Sequence, residues 1–302
     1  MTRTPASGPF DPRLARLHRA RAAAHFNDEA FLHRRVCEDI AERLEAIPRR
    51  FTRALVFGAP SLMREAFAAR PALAERIETL VGADPAAALA GRGGVACDAD
   101  FIPFTDEAFD LIVSPLLLHR ANDLVGALIQ LRRALRPDGL FIGALFGGDT
   151  LRELRGALIE AELDMRGGAG ARVAPMADLV ALAHLLQRAG FALPAADRDV
   201  AQVVYGDPRR LPADLRAMGE TGALADHAGP LRRDVLARAM DLYRAHHADA
   251  EGRVRATFEV ITLTGWAPHE SQQQSLKPGA AKMRLADALG VVEHGAGERA
   301  GR

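Results

Sequence analysis

Short apolar runs alternate with amphipathic stretches through the first half of the chain, and this alternation constrains the fold more than any other feature. Buried-strand runs occur at 54–57, 109–114 and 140–146, and the stretch between the last two has leucines at helical spacing. Parallel strands require a crossover connection, which is usually a helix. We therefore expect an α/β fold with an open, mostly parallel sheet covered by helices on both faces.

The same pattern divides the chain into regions. Residues 1–50 are predicted to form an arm followed by a helical lid, and residues 51–205 to form the core. Residues 206–289 are predicted to add a C-terminal helical elaboration and the last strand of the same sheet. Residues 290–302 are rich in Gly, Glu and Arg, and we expect a disordered tail there.

The composition excludes several classes of function. The 302 residues include 39 basic and 39 acidic side chains, so the chain has no overall charge to attract a nucleic acid. No stretch reaches the roughly 18 apolar residues that a membrane-spanning helix needs. Cys37 and Cys97 are too few for a disulfide framework or a four-thiolate zinc site, and no metal site is predicted. We expect a cytoplasmic protein with neither a nucleic-acid partner nor a membrane span.

Nearly every cationic side chain is an arginine, since Lys277 and Lys282 are the only lysines. Together with the abundant alanine and glycine, this indicates the coding bias of a GC-rich bacterial genome. The first 26 residues contain several arginines and a single acid, Asp11. We interpret them as an ordinary basic arm rather than as a targeting peptide.

The segment from Cys97 to Asp110 places an acid just past a strand, then a Pro-Phe turn, then Phe-Asp at the start of a buried strand. This order resembles the class I S-adenosylmethionine-dependent methyltransferases, and it implies their Rossmann-like fold with a seven-stranded sheet. The resemblance further implies that Asp98 contacts the adenine amino group and that Asp84 accepts from the ribose hydroxyls. Carboxylates suit both contacts because they only accept hydrogen bonds, and both ligand groups donate them. The competing interpretation is that each acid only caps a loop.

Six further segments narrow the resemblance. They are similar to the methyltransferase-like family of respiratory complex I assembly factors, and they cover 114–124, 135–143, 146–151, 184–191, 218–220 and 265–272. The family implies S-adenosylmethionine as cofactor and a protein substrate or client subunit as partner. Its mitochondrial branch assists assembly of the peripheral arm of complex I and is associated with hydroxylation of an arginine on a partner subunit.

The turn after the first strand departs from the methyltransferase pattern, which has an acid and a glycine-rich turn there. This chain has Val56 in place of the acid and Pro60 in place of a glycine, so that only Gly58 remains. Proline adds a ring and removes an N–H donor, and we therefore expect weakened binding of the methionine part of the cofactor. Phe101 and Ser114 complete the predicted cofactor site.

Three functions stay open on these residues. The first is an S-adenosylmethionine-dependent enzyme that acts on or holds a protein partner, which Asp84 and Asp98 favour. The second is a non-catalytic assembly chaperone that kept the fold, which Val56 and Pro60 favour. The third is a small-molecule or carrier-protein O-methyltransferase, against which the Gly-Gly-Asp-Thr and His-Glu-Ser-Gln elements argue.

His119 and Asp149 are the candidate catalytic residues, because both follow buried strands at the edge where open α/β sheets bind ligands. His119 is equally a candidate base and an ordinary loop histidine. Thr150 and Glu153 have the spacing of a capping box, which predicts that they only start a helix. The cap does not require Asp149, so this acid is the better functional candidate of the three.

Overall fold

Helices and strands follow one another in the predicted alternation. The computed structural model describes residues 8–226 and 229–273. The helices in these ranges are α1 (Pro12–Ala22), α2 (Phe26–Glu29), α3 (Phe31–Glu45), α4 (Pro60–Ala68), α5 (Pro71–Ala74), α6 (Ala87–Ala90), α7 (Leu124–Ala134), α8 (Arg152–Arg166), α9 (Leu179–Arg188), α10 (Arg210–Ala217) and α11 (Arg233–His247). The strands are β1 (Ala54–Phe57), β2 (Leu80–Asp84), β3 (Val95–Ala96), β4 (Phe109–Pro115), β5 (Leu135–Phe146), β6 (Ala192–Tyr205) and β7 (Val254–Trp266). A 3₁₀ helix covers Leu118–Arg120.

The strands form one seven-stranded sheet in the order β3-β2-β1-β4-β5-β7-β6. The first five are parallel, and in their register Val56 pairs with Gly82 on one side and with Val113 on the other. β7 runs antiparallel to both of its neighbours. The predicted seven-stranded, mostly parallel sheet is therefore confirmed, and the carboxyl ends of β1 to β4 lie side by side along one edge.

Helices cover both faces of the sheet. Successive residues of a strand point to opposite sides, so the apolar strands present side chains to the helices on each face. Val56 and Val113 lie in an apolar cluster with residues of α3, α4, α8 and α11. Leu55 and Ile112 lie in a second cluster with residues of α7 and α9. All four side chains are fully buried. Burial of each contributes about 1.5–3 kcal/mol, so the sheet and both helical layers stabilise one another.

The N-terminal segment is part of this fold, because residues 12–22 form α1. Asp11 caps α1 by accepting hydrogen bonds from two backbone N–H groups of its first turn. The N–H of Asp11 donates to the carbonyl of Ala223, and Phe10 makes a strand-like bridge with Leu224. Arg19 is fully buried. These contacts hold α1 against the segment that follows α10.

The chain divides into two units, Met1–His269 and Glu270–Arg302. In the second unit, the described residues 270–273 include a turn. The predicted tail at 290–302 lies outside the described residues. Among the helices of the described ranges, none combines the length and hydropathy that crossing a bilayer requires.

Candidate functional site

The sheet brings the predicted cofactor residues to one edge. Gly58 follows β1, Asp84 ends β2, and Ser114 lies near the end of β4, on three adjacent strands. Asp98 comes two residues after β3, which is the neighbour of β2. The two acids therefore lie on neighbouring strand ends, as a nucleoside site of the predicted kind requires.

Asp84 is fully buried and engaged by an arginine that sequence analysis did not single out. Arg19 of α1 donates from Nε to Oδ1 of Asp84 at 3.1 Å and from Nη2 to Oδ2 at 2.6 Å. The side chains of both residues are 0% exposed. The N–H of Ala86 also donates to Oδ1 at 2.9 Å. Asp84 thus binds a guanidinium in the bidentate geometry that carboxylates and arginines favour.

Asp98 is held in a similar way from the same helix. Nη2 of Arg16 lies 2.5 Å from Oδ2 of Asp98, in a pair that is partly open to solvent. Arg16 and Arg19 are three residues apart and therefore lie on one face of α1. A single turn of α1 consequently contacts both acids that the sequence assigned to the nucleoside.

A buried polar cluster adjoins Asp84, and we define it as Arg19, His33, His119, Arg120 and Glu220. Oε2 of Glu220 accepts from Nη2 of Arg120 at 2.7 Å and lies 3.1 Å from Nε2 of His119. Oε1 of Glu220 lies 3.3 Å from Nε2 of His33 and 3.6 Å from Nη1 of Arg19. Each of the five side chains is at most 8% exposed. The cluster joins α1, α3, the loop after β4 and the segment after α10.

In the buried polar cluster the carboxylate of Glu220 is charged, whereas the imidazoles of His33 and His119 are neutral. Burial lowers the pKa of His119 and of His33, and it outweighs the attraction of Glu220 in both cases. Burial works against ionisation of Glu220, yet the charge of Arg120 and the contacts with the two histidines hold the pKa of Glu220 well below its usual range. A carboxylate only accepts, so Nε2–H of His119 donates to Glu220 and Nδ1 is left as an acceptor.

Several buried atoms of this cluster have no hydrogen-bond partner among the described residues. They are Nη1 of Arg19, Nη1 of Arg120, Nδ1 of His119, both ring nitrogens of His33 and Oε1 of Glu220. Buried polar atoms are nearly always hydrogen-bonded in native proteins. The buried polar cluster therefore has hydrogen-bonding groups beyond those used in its own contacts.

The other predicted cofactor residues have different surroundings. Ser114 is fully buried, and its hydroxyl donates to the carbonyl of Phe57 at 2.9 Å, which ties β4 to β1. Phe101 is 70% exposed. Gly58 has a φ of +98°, and a Cβ there would lie 3.0 Å from the carbonyl oxygen of Pro115, so no larger residue fits without strain.

The turn after β1 is apolar. Val56 is fully buried in the first apolar cluster, so no acid lies at the position where methyltransferases carry one. Ala59 adopts the left-handed conformation, with a φ of 48°, and Pro60 starts α4. The ring of Pro60 packs directly on Gly82. Any larger residue at position 82 would place its Cβ only 2.9 Å from Cβ of Pro60. The turn is thus packed closely against apolar neighbours.

Asp149 does not join His119. Its carboxylate is about half exposed and lies 3.7 Å from Nη1 of Arg152. Its N–H donates to Oε2 of Glu259 at 2.8 Å. In the described residues, Asp149 forms neither a hydrogen bond nor an ion pair with His119 or Glu220.

The predicted capping box is wrong. Leu151 precedes α8 in the left-handed conformation and makes no side-chain cap. The hydroxyl of Thr150 donates to the carbonyl of Glu259, and Glu153 accepts from the N–H and the hydroxyl of Thr257. Both side chains therefore bind β7 instead of the first turn of their own helix.

Sequence reasoning missed four of the five cluster residues: Arg19, His33, Arg120 and Glu220. Glu220 belongs to the Met-Gly-Glu segment that carried the family resemblance, and this was the one available signal. Arg19 lay in the segment interpreted as an arm. In the described ranges, no group of three His, Cys, Asp or Glu side chains could hold a metal ion.

A cavity system leads to the buried polar cluster. A cavity of about 110 Å³ reaches His119, Arg120 and Glu220. A larger cavity of about 550 Å³ shares Leu154 and Leu158 with it. Mainly aliphatic side chains therefore line the cavities on this side of the His119–Glu220 pair.

Comparison with known proteins places the chain among methyltransferase-like proteins. A family profile described as a methyltransferase domain matches residues 68–143. The chain is 37% identical over 272 residues to human "Arginine-hydroxylase NDUFAF5, mitochondrial", which covers 87% of this chain and 77% of the human protein. It is 40% identical over 193 residues to the protein of the same name from Danio rerio, of which the match spans only 60%.

Two other proteins support the fold. The chain is 31% identical over 288 residues to the malonyl-[acyl-carrier protein] O-methyltransferase of Halorhodospira halophila, which covers 91% of this chain and 94% of that protein. The crystal structure of the YcgJ protein of Bacillus subtilis superposes with a TM-score of 0.51 at 14% identity, over 78% of this chain and 99% of that one. With the strand order above, these likenesses confirm the class I methyltransferase fold with N-terminal helices.

Proposed function

The chain belongs to the family of methyltransferase-like proteins that contains human NDUFAF5, and on that premise we propose that it is an S-adenosylmethionine-binding enzyme acting on a protein partner. The relative's name, arginine-hydroxylase, favours an arginine side chain as the group acted on. A role in the assembly of respiratory complex I is part of the proposal, since the six segments singled out in the sequence resemble that family of assembly factors.

The nucleoside end of the site fits this cofactor in its chemistry. Asp84 and Asp98 offer carboxylate oxygens on neighbouring strand ends, and the ribose hydroxyls and the adenine amino group are donors. When bound, S-adenosylmethionine supplies an electrophilic methyl group. Asp84 and Asp98 would then exchange their arginine partners for the nucleoside.

The His119–Glu220 pair is the observation that favours an enzyme most. Glu220 orients the imidazole of His119 and leaves its Nδ1 as a buried acceptor without a partner in the described part of the chain. Burial keeps this imidazole neutral, because it lowers the pKa of His119. His119 is therefore able to take a proton from a substrate group that reaches it through the cavity system. A chaperone would not require such a pair.

One set of observations favours the second function, an assembly chaperone without catalysis. Val56 is part of the apolar core, Pro60 packs on Gly82, and the carboxylate of Asp84 is already bound by Arg19. A chain of this kind could keep the fold for binding a client subunit and bind the cofactor weakly or not at all.

Calorimetric titration of the full chain with S-adenosylmethionine and S-adenosylhomocysteine tests the proposal. We expect submillimolar binding, and we expect Asp98→Asn to weaken it about tenfold because one charged hydrogen bond is lost. Asp106→Asn, in the same loop but exposed and paired with Arg133, is the matched control and should bind like the wild type. Absence of heat at millimolar ligand would favour the chaperone.

A further inference from the structure

The end of β1 lacks a carboxylate that could bind the α-ammonium of an amino-acid ligand. The methyltransferase pattern has an acid where this chain has Val56, and Val56 is fully buried among apolar side chains. A ligand with an α-ammonium group therefore finds no carboxylate at the end of β1. A buried ammonium without an acceptor is costly, and among the possible acceptors a carboxylate also compensates its charge.

Two fully or nearly buried carboxylates lie at this part of the described structure, Asp84 and Glu220. The carboxylates of the other buried acids are engaged elsewhere, at Asp110 with Thr52, Glu153 with Thr257, Glu162 with Arg172 and Glu259 with the N–H of Asp149. Asp84 is the acid assigned to the ribose hydroxyls. Glu220 has not been assigned to any group of the cofactor.

Glu220 has one carboxylate oxygen that is bound less tightly than the other. Oε2 lies 2.7 Å from Nη2 of Arg120 and 3.1 Å from Nε2 of His119. The contacts of Oε1 are longer, at 3.3 Å to Nε2 of His33 and 3.6 Å to Nη1 of Arg19. Oε1 is thus the oxygen of Glu220 that an additional cation can reach.

Arg19 places a positive charge between the two carboxylates. Its Nε and Nη2 bind Asp84, its Nη1 is directed toward Glu220, and the guanidinium lies 5.5 Å from the ring centre of Phe26. A guanidinium and an ammonium are both cationic hydrogen-bond donors, so a carboxylate oxygen that faces the one is able to accept from the other.

We propose that Glu220 takes the place of the acid missing at position 56 and binds the α-ammonium of the methionine half of S-adenosylmethionine. In the free protein, Arg19 occupies this position and competes with the cofactor. The inference rests on the proposed function, because it assigns a residue within the same cofactor site.

The test uses two ligands that differ by the ammonium alone. S-adenosylhomocysteine carries both the ammonium and the carboxylate, and its deaminated analogue keeps only the carboxylate. Titrated into the full chain, the wild type should prefer S-adenosylhomocysteine about tenfold or more. Glu220→Gln should remove this preference by weakening S-adenosylhomocysteine and leaving the analogue unchanged. Equal weakening of both ligands, or of neither, would overturn the proposal.

A second background tests the same contact without an excess of positive charge, since Glu220→Gln alone leaves Arg19 and Arg120 with one carboxylate fewer. Because Arg19→Met also removes the partner of Asp84, the urea midpoint of each variant is measured before the titration. Arg19→Met should bind S-adenosylhomocysteine about tenfold more tightly, because the competing guanidinium is gone. Adding Glu220→Gln to Arg19→Met should then abolish the preference over the deaminated analogue. Arg16→Met, which removes only the contact with Asp98, is the control and should keep the preference. Weaker binding of S-adenosylhomocysteine to Arg19→Met would show that Arg19 is a ligand contact and not a competitor.

The titrations distinguish a failure of the proposed function from a failure of the role assigned to Glu220. If neither the wild type nor Arg19→Met binds S-adenosylhomocysteine, its deaminated analogue or 5′-methylthioadenosine, the proposed function is wrong and this inference falls with it. If all three ligands bind and Glu220→Gln changes no preference, the cofactor site stands and only the role of Glu220 is wrong.

Discussion

Arg19 and Asp84 are each fully removed from water, and each compensates the charge of the other. Removing one member of such a pair leaves an uncompensated buried charge, which typically costs about 3–5 kcal/mol. We therefore predict that Asp84→Asn lowers the free energy of unfolding by about this amount. Urea denaturation of the full chain measures it.

The matched control is an exposed pair of the same chemistry. Arg34 and Glu65 form an ion pair at 2.7 Å with both side chains more than 40% exposed. Such pairs contribute about 0–1 kcal/mol, so Glu65→Gln should be nearly neutral. An Asp84→Asn variant as stable as Glu65→Gln would contradict the assigned importance of the buried pair.

At the level of elements, α8 is anchored on β7 by side chains at its start. The hydroxyl of the buried Thr257 donates to Oε1 of Glu153 at 2.5 Å. Thr257→Val keeps the shape and removes this donor, so we predict a loss of about 1–3 kcal/mol in the free energy of unfolding. Thermal or urea denaturation measures the loss.

Thr264 offers a control on the same strand, because it is half-buried and makes the same substitution possible. Thr264→Val should change stability by less than Thr257→Val. Equal stability of the two variants would mean that Glu153 gains nothing from β7, as a capping box would require.

Elements with strong local patterns were predictable from the sequence, and elements defined by distant contacts were not. β1 was predicted with its observed bounds, 54–57, because its four residues are all apolar and all buried. The capping box failed because Thr150 and Glu153 bind residues about a hundred positions away on β7. No local spacing contains that information.

The candidate site also contains residues that were predictable from the sequence and residues that were not. Asp84 and Asp98 could be proposed as site residues because strand ends can be predicted from the sequence around them. Arg19 is 65 positions from Asp84, and Glu220 is 101 positions from His119. Such partners become visible only once the fold has brought α1 and the segment after α10 to the edge of the sheet.

For the molecule as a whole, the buried polar cluster predicts a pH dependence of stability. The pKa values of His33 and His119 are lowered in the folded state from the usual 6.5, so between the two values the unfolded chain binds more protons. The contribution of these two histidines to the free energy of unfolding is therefore fully present above about pH 6.5, and it decreases as the pH falls below that value. Glu220, whose pKa is also lowered, acts in the same direction at still lower pH, below 4.5.

Urea midpoints at about pH 7.5 and about pH 5.5 measure this dependence. Trp266, the single tryptophan, lies at the end of β7 and reports unfolding by its fluorescence. His33→Gln should reduce the difference between the two midpoints, because one of the histidines with a lowered pKa is gone. Equal or greater stability at the lower pH would contradict the neutral, buried state of the imidazoles.

The contact of one turn of α1 with both Asp84 and Asp98 has a practical consequence for obtaining a ligand complex. Crystals grown from the free protein would trap α1 in its contacts with the two acids, and lattice forces would oppose its displacement. Soaking such crystals with ligand should therefore leave the electron density unchanged or crack the crystals. Co-crystallisation from a solution saturated with ligand before nucleation is the appropriate route.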